Sequence, residues 1–118
     1  MNSRIERIDS VTLIVAQGRL DFSAAASFQA QIEQVMAGAG GAGTTVVIDC
    51  EGLEYVSSAG LRVFLLAARN AQRAGLNFSV CALQNAVREV FELSGFSRVM
   101  AVHPDRTAAL TAAAQKPA

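Results

Sequence analysis

The sequence predicts an α/β fold: one domain over residues 1–118, with a mixed, roughly five-stranded sheet, an N-terminal antiparallel hairpin and about four helices. Three observations carry that expectation. Arg4–Asp9 and Val11–Ala16 read as two strands joined by the compact turn signal Asp9-Ser10, which makes them a hairpin. After the hairpin the patterns alternate as α-β-α-β-α-β-α, which implies mainly parallel strands joined by crossover helices. Val46–Cys50 is nearly all apolar, as expected of a central strand buried on both faces.

Taken in order, Arg4–Asp9 is the weaker strand, and Val11–Ala16 the stronger, with Val11, Leu13 and Val15 set against Thr12, Ile14 and Ala16. Gly18-Arg19-Leu20-Asp21 ends it, and Ser23 is the expected N-cap of a helix running to about Ala37. Phe28, Ile32, Val35 and Met36 give that helix its apolar spacing, and Gly38–Gly43 follows as a flexible connector. Beyond Val46–Ile48 the chain is expected to turn through Asp49-Cys50-Glu51-Gly52, cross Leu53–Val56 and reach Ser57 and Ser58. A second helix then spans about Ala59–Ala74, with Leu61, Phe64, Leu65 and Ala68 as its core stripe and Gly75 as its C-cap. Asn77–Cys81 is the next strand, and a helix over about Asn85–Leu93 buries Val87, Val90 and Phe91 before ending at Ser94-Gly95. Val99–Val102 forms a last short strand, and an alanine-rich helix runs from Arg106 to roughly Ala114, leaving Lys116–Ala118 to fray.

Composition narrows the function. Apolar residues make up 52% and charged residues 17%, the balance of a globular chain. Ten basic and ten acidic residues leave no net charge, whereas a dedicated nucleic-acid binder carries a basic face. The N-terminal residues contain no apolar signal segment, and no apolar run approaches the length of a membrane span, so a cytoplasmic protein without a membrane role is expected. Cys50 and Cys81 each close an expected strand and read as buried thiols rather than a disulfide. With no net charge and no long apolar surface stripe, a monomer is expected.

Catalytic and cofactor patterns are weak. Gly38, Gly40 and Gly43 satisfy the letter of a dinucleotide fingerprint, but they follow a helix and open a strand, the reverse of the required context. His103, the single histidine, sits far along the chain from Ser57 and Ser58, and the G-x-S-x-G elbow is absent. One histidine and two separated cysteines offer no metal-ligand cluster. The chain is accordingly read as a non-enzyme with no cofactor and no catalytic residues.

The serines are more informative. Serine is a favoured helix cap, and a hydroxyl there also lies at the positive end of the helix dipole, where a phosphate is electrostatically welcome. Gly60 in the first turn weakens the helix but permits a close backbone approach. Parallel architecture brings the loops after successive strands to one edge, which places Asp21 at the same sheet end as Ser58. Asp21, Glu51 and Glu54 give that neighbourhood acidic character.

On these residues the chain resembles the anti-sigma factor antagonists of the STAS domain family. Gly18-Arg19-Leu20-Asp21 looks like the family's G-x-L-D, and Val46–Cys50 through Ser57-Ser58-Ala59-Gly60-Leu61 looks like its central strand, loop and phosphoserine motif. Leu93-Ser94-Gly95-Phe96 looks like the segment closing its third helix. Against the family pattern D-S-[ST]-G-L, Ser58 takes the phosphoacceptor position, Ser57 replaces the usual aspartate, and Ala59 replaces a second hydroxyl residue. The resemblance implies partner switching. The unphosphorylated protein binds an anti-sigma factor, typically a serine kinase of the GHKL type. Phosphorylation at Ser58, with Ser57 as a secondary site, ends the interaction, and a PP2C-type phosphatase restores it. The partner-binding surface it implies comprises Asp21, Glu54, Ser57, Ser58, Ala59, Gly60 and Arg62. Two alternatives stand beside it: a STAS scaffold that is not phosphorylated, favoured by the missing aspartate, and a nucleotide or small-molecule sensor.

Overall fold

Strand β1 (Asn2–Ile8) and strand β2 (Val11–Leu20) form the expected antiparallel hairpin, with Ile8 opposite Val11. The turn is tight enough to place Asp9 at φ 54°, a left-handed conformation that aspartate tolerates better than most residues. The structure, a computed structural model, describes residues 1–41 and 43–115. The expected fraying of Lys116–Ala118, and Ala42 of the glycine-rich connector, lie outside the described residues. The chain continues as α1 (Phe22–Ala37), β3 (Thr45–Val56), α2 (Ser58–Ala74), β4 (Asn77–Cys81), α3 (Asn85–Leu93), a single 3₁₀ turn (Phe96–Arg98), β5 (Ala101–His103) and α4 (Arg106–Gln115). The five strands lie in sequence order, and every pair after the hairpin is parallel.

The strand alternation sends each set of side chains to its own layer. Ile14, Ala16, Val46, Ile48, Cys50 and Val80 face α1, α2 and α3, where they meet Phe28, Ile32, Val63, Phe64, Val87 and Phe91. The rings of Phe28, Phe64, Phe91 and Phe96 run in succession, at centroid separations of 6.1, 5.1 and 5.4 Å, and tie the three helices together. On the opposite face Val11, Leu13, Val47 and Cys81 are covered by α4 through Ala109. Both cysteines are free and buried, as expected, and they lie in different layers.

Several boundaries differ from the sequence expectation, and the reasons are physical. β2 continues to Leu20 and β3 to Val56, because their tails pair with each other: Gln17 opposite Gly52, Arg19 opposite Tyr55 and Leu20 opposite Val56. Asp49-Cys50-Glu51-Gly52 is therefore strand, not turn. Two register shifts let the ladder pass this point, and Gly52 is needed there, since a Cβ would lie 2.8 Å from the Gln17 side chain. α1 is capped by Asp21 rather than Ser23, whose hydroxyl instead donates to the Asp21 carboxylate. The buried stripe of α2 is rotated from the expected one: Val63, Phe64, Ala67, Ala68 and Ala71 are buried, while Leu61 and Leu65 are only half-buried. Val90 is likewise half-buried, and Val99 lies outside β5, half-exposed after the 3₁₀ turn.

Asp49 has a further role. It is buried in the middle of β3, where an unpaired charge would be very costly. Arg106, at the start of α4, supplies the partner: its Nε and Nη2 each lie 2.9 Å from Asp49 Oδ2, while the Glu51 N–H donates to Oδ1 at 3.1 Å. Glu6 takes the remaining Nη1 at 3.2 Å, so the guanidinium ties α4 to both β3 and β1. Attachment at Asp49 and Glu6 holds the guanidinium more firmly protonated than usual, the Asp49 hydrogen bond being the largest cause.

Truncating Arg106 strands the Asp49 carboxylate. Arg106→Ala should destabilise the protein by about 3 kcal/mol, the lower end for a broken buried pair because the Arg106 head is partly solvated. Replacing both partners together, as in Asp49→Leu with Arg106→Met, should cost less than Arg106→Ala alone in urea unfolding. A larger cost for the double variant would show that the pair itself, rather than the relief of a stranded charge, governs this site.

Candidate functional site

The paired tails of β2 and β3 end together, and this places the site. Beyond the Leu20–Val56 pair, the Ser57 N–H donates to the Leu20 carbonyl at 2.8 Å, fastening the start of one loop to the end of the neighbouring strand. Two helices then begin side by side. Asp21 caps α1, accepting from the Ala24 N–H at 3.0 Å and from the Ser23 hydroxyl at 2.8 Å. The Ser23 hydroxyl, then the Ala24 N–H, hold its carboxyl below its ordinary pKa, so Asp21 carries full charge at neutral pH.

The two serines divide the work of the second loop. Ser57 is the N-cap of α2: its hydroxyl accepts from the Gly60 N–H at 3.1 Å, and its carbonyl accepts from Leu61 at 2.8 Å. Ser58 is the first helical residue and is exposed, and among the described residues its hydroxyl has no side-chain hydrogen bond. It stands over the free N–H groups of a 17-residue helix, the end at which a phosphate is stabilised.

Gly60 fits this arrangement closely. A Cβ there would lie 2.7 Å from Leu20 Cγ and 3.0 Å from the Leu20 carbonyl oxygen. The close approach anticipated at Gly60 is thus the seating of the first turn of α2 on the end of β2. Ala59 is half-buried against the same core. Arg62 is exposed one helical turn from Ser58, and so shares its face. Glu54 is exposed on the β3 tail, between the buried Leu53 and Val56. The structure thus brings Asp21, Ser57, Ser58 and Gly60 together, with Arg62 and Glu54 on the approaches. Glu51 does not join them: at about 3.3 Å per strand residue it sits roughly 20 Å from the serines, where its carbonyl accepts from Gln84.

Sequence reasoning missed three exposed neighbours. Phe22 follows Asp21 as the first residue of α1 and is 84% exposed. Tyr55 is 40% exposed, and the Arg19 guanidinium lies 4.2 Å from the centre of its ring. The available signal was an apolar residue directly after a capping aspartate, outside the stripe of Phe28 and Ile32.

The remaining chemistry is sparse. His103 pairs with Cys81 in the ladder, at the level of Asp49, which puts it well over roughly 20 Å from Ser57 by strand geometry. Burial, then the Asp49 charge, push the Cys81 thiol up to about 12, and burial raises Cys50 well above its ordinary value. Neither is a nucleophile at neutral pH. No group of metal-binding side chains occurs among the described residues.

Gly60→Ala sets two effects against each other. Alanine favours the helix by about 1 kcal/mol, but the clash with Leu20 carries an overpacking cost of about 1–3 kcal/mol. The variant should be destabilised in denaturant unfolding; a stabilised protein would show that the α2–Leu20 contact yields without cost.

Comparison with known proteins places this geometry. The STAS domain family profile matches residues 2–109. A Bordetella bronchiseptica protein, provisionally named the anti-sigma factor antagonist BtrV, is 38% identical over 113 residues, covering 95% of this chain and 94% of the relative. A Thermotoga maritima protein, also provisionally called an anti-sigma factor antagonist, superposes with a TM-score of 0.87 at 15% identity, over 96% of this chain and 95% of its own. The phosphorylated form of the Bacillus cell fate determinant SpoIIAA shares the fold with a TM-score of 0.69 at 24% identity, over 93% of this chain and 97% of its own. The parallel sheet behind an N-terminal hairpin, the paired strand tails and the serine-capped second helix therefore make this chain a member of the STAS domain family.

Proposed function

We propose that the protein is an anti-sigma factor antagonist that works by partner switching in the cytoplasm, with Ser58 as the phosphorylated residue. The observation that carries the reading is the division of labour between the serines: Ser57 spends its hydroxyl on the α2 cap, while Ser58 presents its own to solvent. The relative named an anti-sigma factor antagonist, at 38% identity over nearly the full length of both chains, supports the same role.

In this reading the unphosphorylated Ser58 edge binds an anti-sigma factor that is also a GHKL-type serine kinase, and so frees a sigma factor. Phosphoryl transfer to Ser58 adds a charge of about −1.5 to −2 at neutral pH. The helix N-terminus accommodates that charge within the fold, and the Ser57 cap and Leu20 tie do not involve the Ser58 hydroxyl. Across a closed interface the same charge is repelled by any acidic group facing it, and Asp21 already contributes one on this side. A loss of about 3 kcal/mol lowers affinity more than a hundredfold, so local electrostatics suffice for the switch. A PP2C-type phosphatase would reset it. Serine in place of the family's aspartate at position 57 removes a charge but keeps the cap, since both residues rank among the best N-caps.

The two serines should separate in stability. Ser57→Ala loses a cap and should cost about 1 kcal/mol, whereas Ser58→Ala should stay within about 0.5 kcal/mol of wild type. Equal costs in denaturant unfolding would contradict the division of labour.

They should separate in function as well. With the chain's own anti-sigma kinase and ATP, phosphate should map to Ser58 by mass spectrometry. Ser58→Asp should keep its melting temperature but lose kinase binding, and Ser58→Ala should bind and resist release. Phosphate on Ser57 alone would move the switch, and equal binding by all three proteins with Ser58 unmodified would favour a constitutive scaffold.

A further inference from the structure

Among the described residues, no strand lies beside the outer edge of β1. The strand is seven residues long and exposes Ile5 at 41% and Ile8 at 36%. Charges on an edge strand ordinarily discourage pairing, and Arg4, Glu6 and Arg7 would serve that purpose taken singly. Their order suggests a different role.

In an antiparallel ladder, residues directly opposite one another turn their backbone groups both toward or both away from each other. Two copies of one strand can therefore pair only about a two-fold axis centred on a residue. Centred on Arg4, the pairing sets arginine against arginine; centred on Glu6, glutamate against glutamate. Centred on Ile5, all of Asn2–Ile8 is paired, Ile5 meets its own copy, and Arg4 stands opposite Glu6 of the second copy twice over. Arg4 and Glu6 share the α4 face, opposite Val15 and Leu13, and Ile5 lies on the other face opposite Ile14. The charges are therefore complementary on one side of the ladder and the apolar contact is on the other. Within one chain Arg4 Nε already bonds Glu6 Oε2 at 2.9 Å with Arg4 largely in solvent, so the same pairing can be exchanged between copies.

We propose that the protein forms a symmetric dimer by antiparallel pairing of β1 with β1 of a second copy, with the two-fold axis at Ile5. The two sheets then become one continuous sheet. The Ser58 edge lies beyond the end of β3, two strands in from the junction, and stays open in both copies. The sequence expectation of a monomer rested on net charge and apolar stripes, and neither reports on a strand edge.

The register makes the test specific. Ile5→Cys places the new thiol opposite its copy, within reach of a disulfide, whereas Ser3→Cys leaves the two thiols four residues apart, about 13 Å, and out of reach. Under the same mild oxidation Ile5→Cys should form a covalent dimer at least about tenfold faster than Ser3→Cys or Arg7→Cys alone. An equal mixture of Ser3→Cys and Arg7→Cys should cross-link with each other, since those positions face across the axis. The native Cys50 and Cys81 are buried and provide the background. By light scattering the wild type should show twice the chain mass, and Arg4→Glu, which sets Glu against Glu, should raise the dimer dissociation constant about tenfold or more. Circular dichroism confirms that each variant is folded. A monomer mass at about 0.5 mM, where a dimer with a dissociation constant of about 50 μM or tighter is mostly formed, or cross-linking without preference for Ile5, overturns the proposal, and so does a dimer unaffected by Arg4→Glu.

Discussion

The main constraint on this structure is the parallel pairing of the two strand tails, Gln17–Leu20 with Gly52–Val56. Each tail alone is a poor strand. The first contains Gly18 at φ 95°, and the second has only Leu53 and Val56 to bury. Together they extend the ladder past the end of the β3–β4 pairing and deliver two helix starts to one edge. Asp21 and Ser57 then cap α1 and α2 side by side, and the Ser57–Leu20 hydrogen bond fixes their spacing. Gly60 completes the arrangement, since a side chain there would lift α2 off Leu20.

The two faces of the sheet are stabilised in different ways. The three-helix face is closed by large apolar groups, with Phe64 at the centre of an aromatic row. The α4 face has a smaller apolar patch and relies on one buried carboxylate. A guanidinium bound to Asp49 and Glu6 joins residues far apart in sequence, which gives a nearly featureless alanine-rich helix a defined seat. An open groove of about 370 Å³ on this side is lined by Arg4, Val15, Gln17, Asp49, Gly52 and Arg106, and it leaves the guanidinium partly exposed while the carboxylate beneath is nearly buried.

Element types were legible in the sequence because periodicity is local: the hairpin, the alternation and all four helices follow from spacing alone. What was not legible depended on distant partners. Asp49 reads as the first residue of a turn, because a charge inside a buried strand is rare without a counterion, and its counterion is 57 residues away. Gly18 reads as the end of its strand, and Asp49–Gly52 as a turn before the short segment Leu53–Val56, because glycine interrupts a strand pattern, yet Gly52 is what admits Gln17 of the neighbouring tail. Asp21 and Ser23 are both competent caps, and only the path of the chain out of β2 decides between them. The α2 stripe was displaced because Leu61 and Leu65 are more apolar than the alanines that lie inward. Of the residues gathered at the candidate site, Asp21, Ser57, Ser58 and Gly60 were named from sequence, while Phe22 and the Arg19–Tyr55 pair went unnoticed because exposure is a tertiary property.

The hydrogen bond between Ser57 N–H and the Leu20 carbonyl has a consequence for sequence drift. The contact that aligns the two helix starts is made by main-chain atoms, which nearly every residue type supplies. Side chains at this edge are then free to change so long as position 57 still caps and position 60 stays small. A main-chain tie of this kind places few demands on side chains, which fits a fold shared at 15% identity with a TM-score of 0.87.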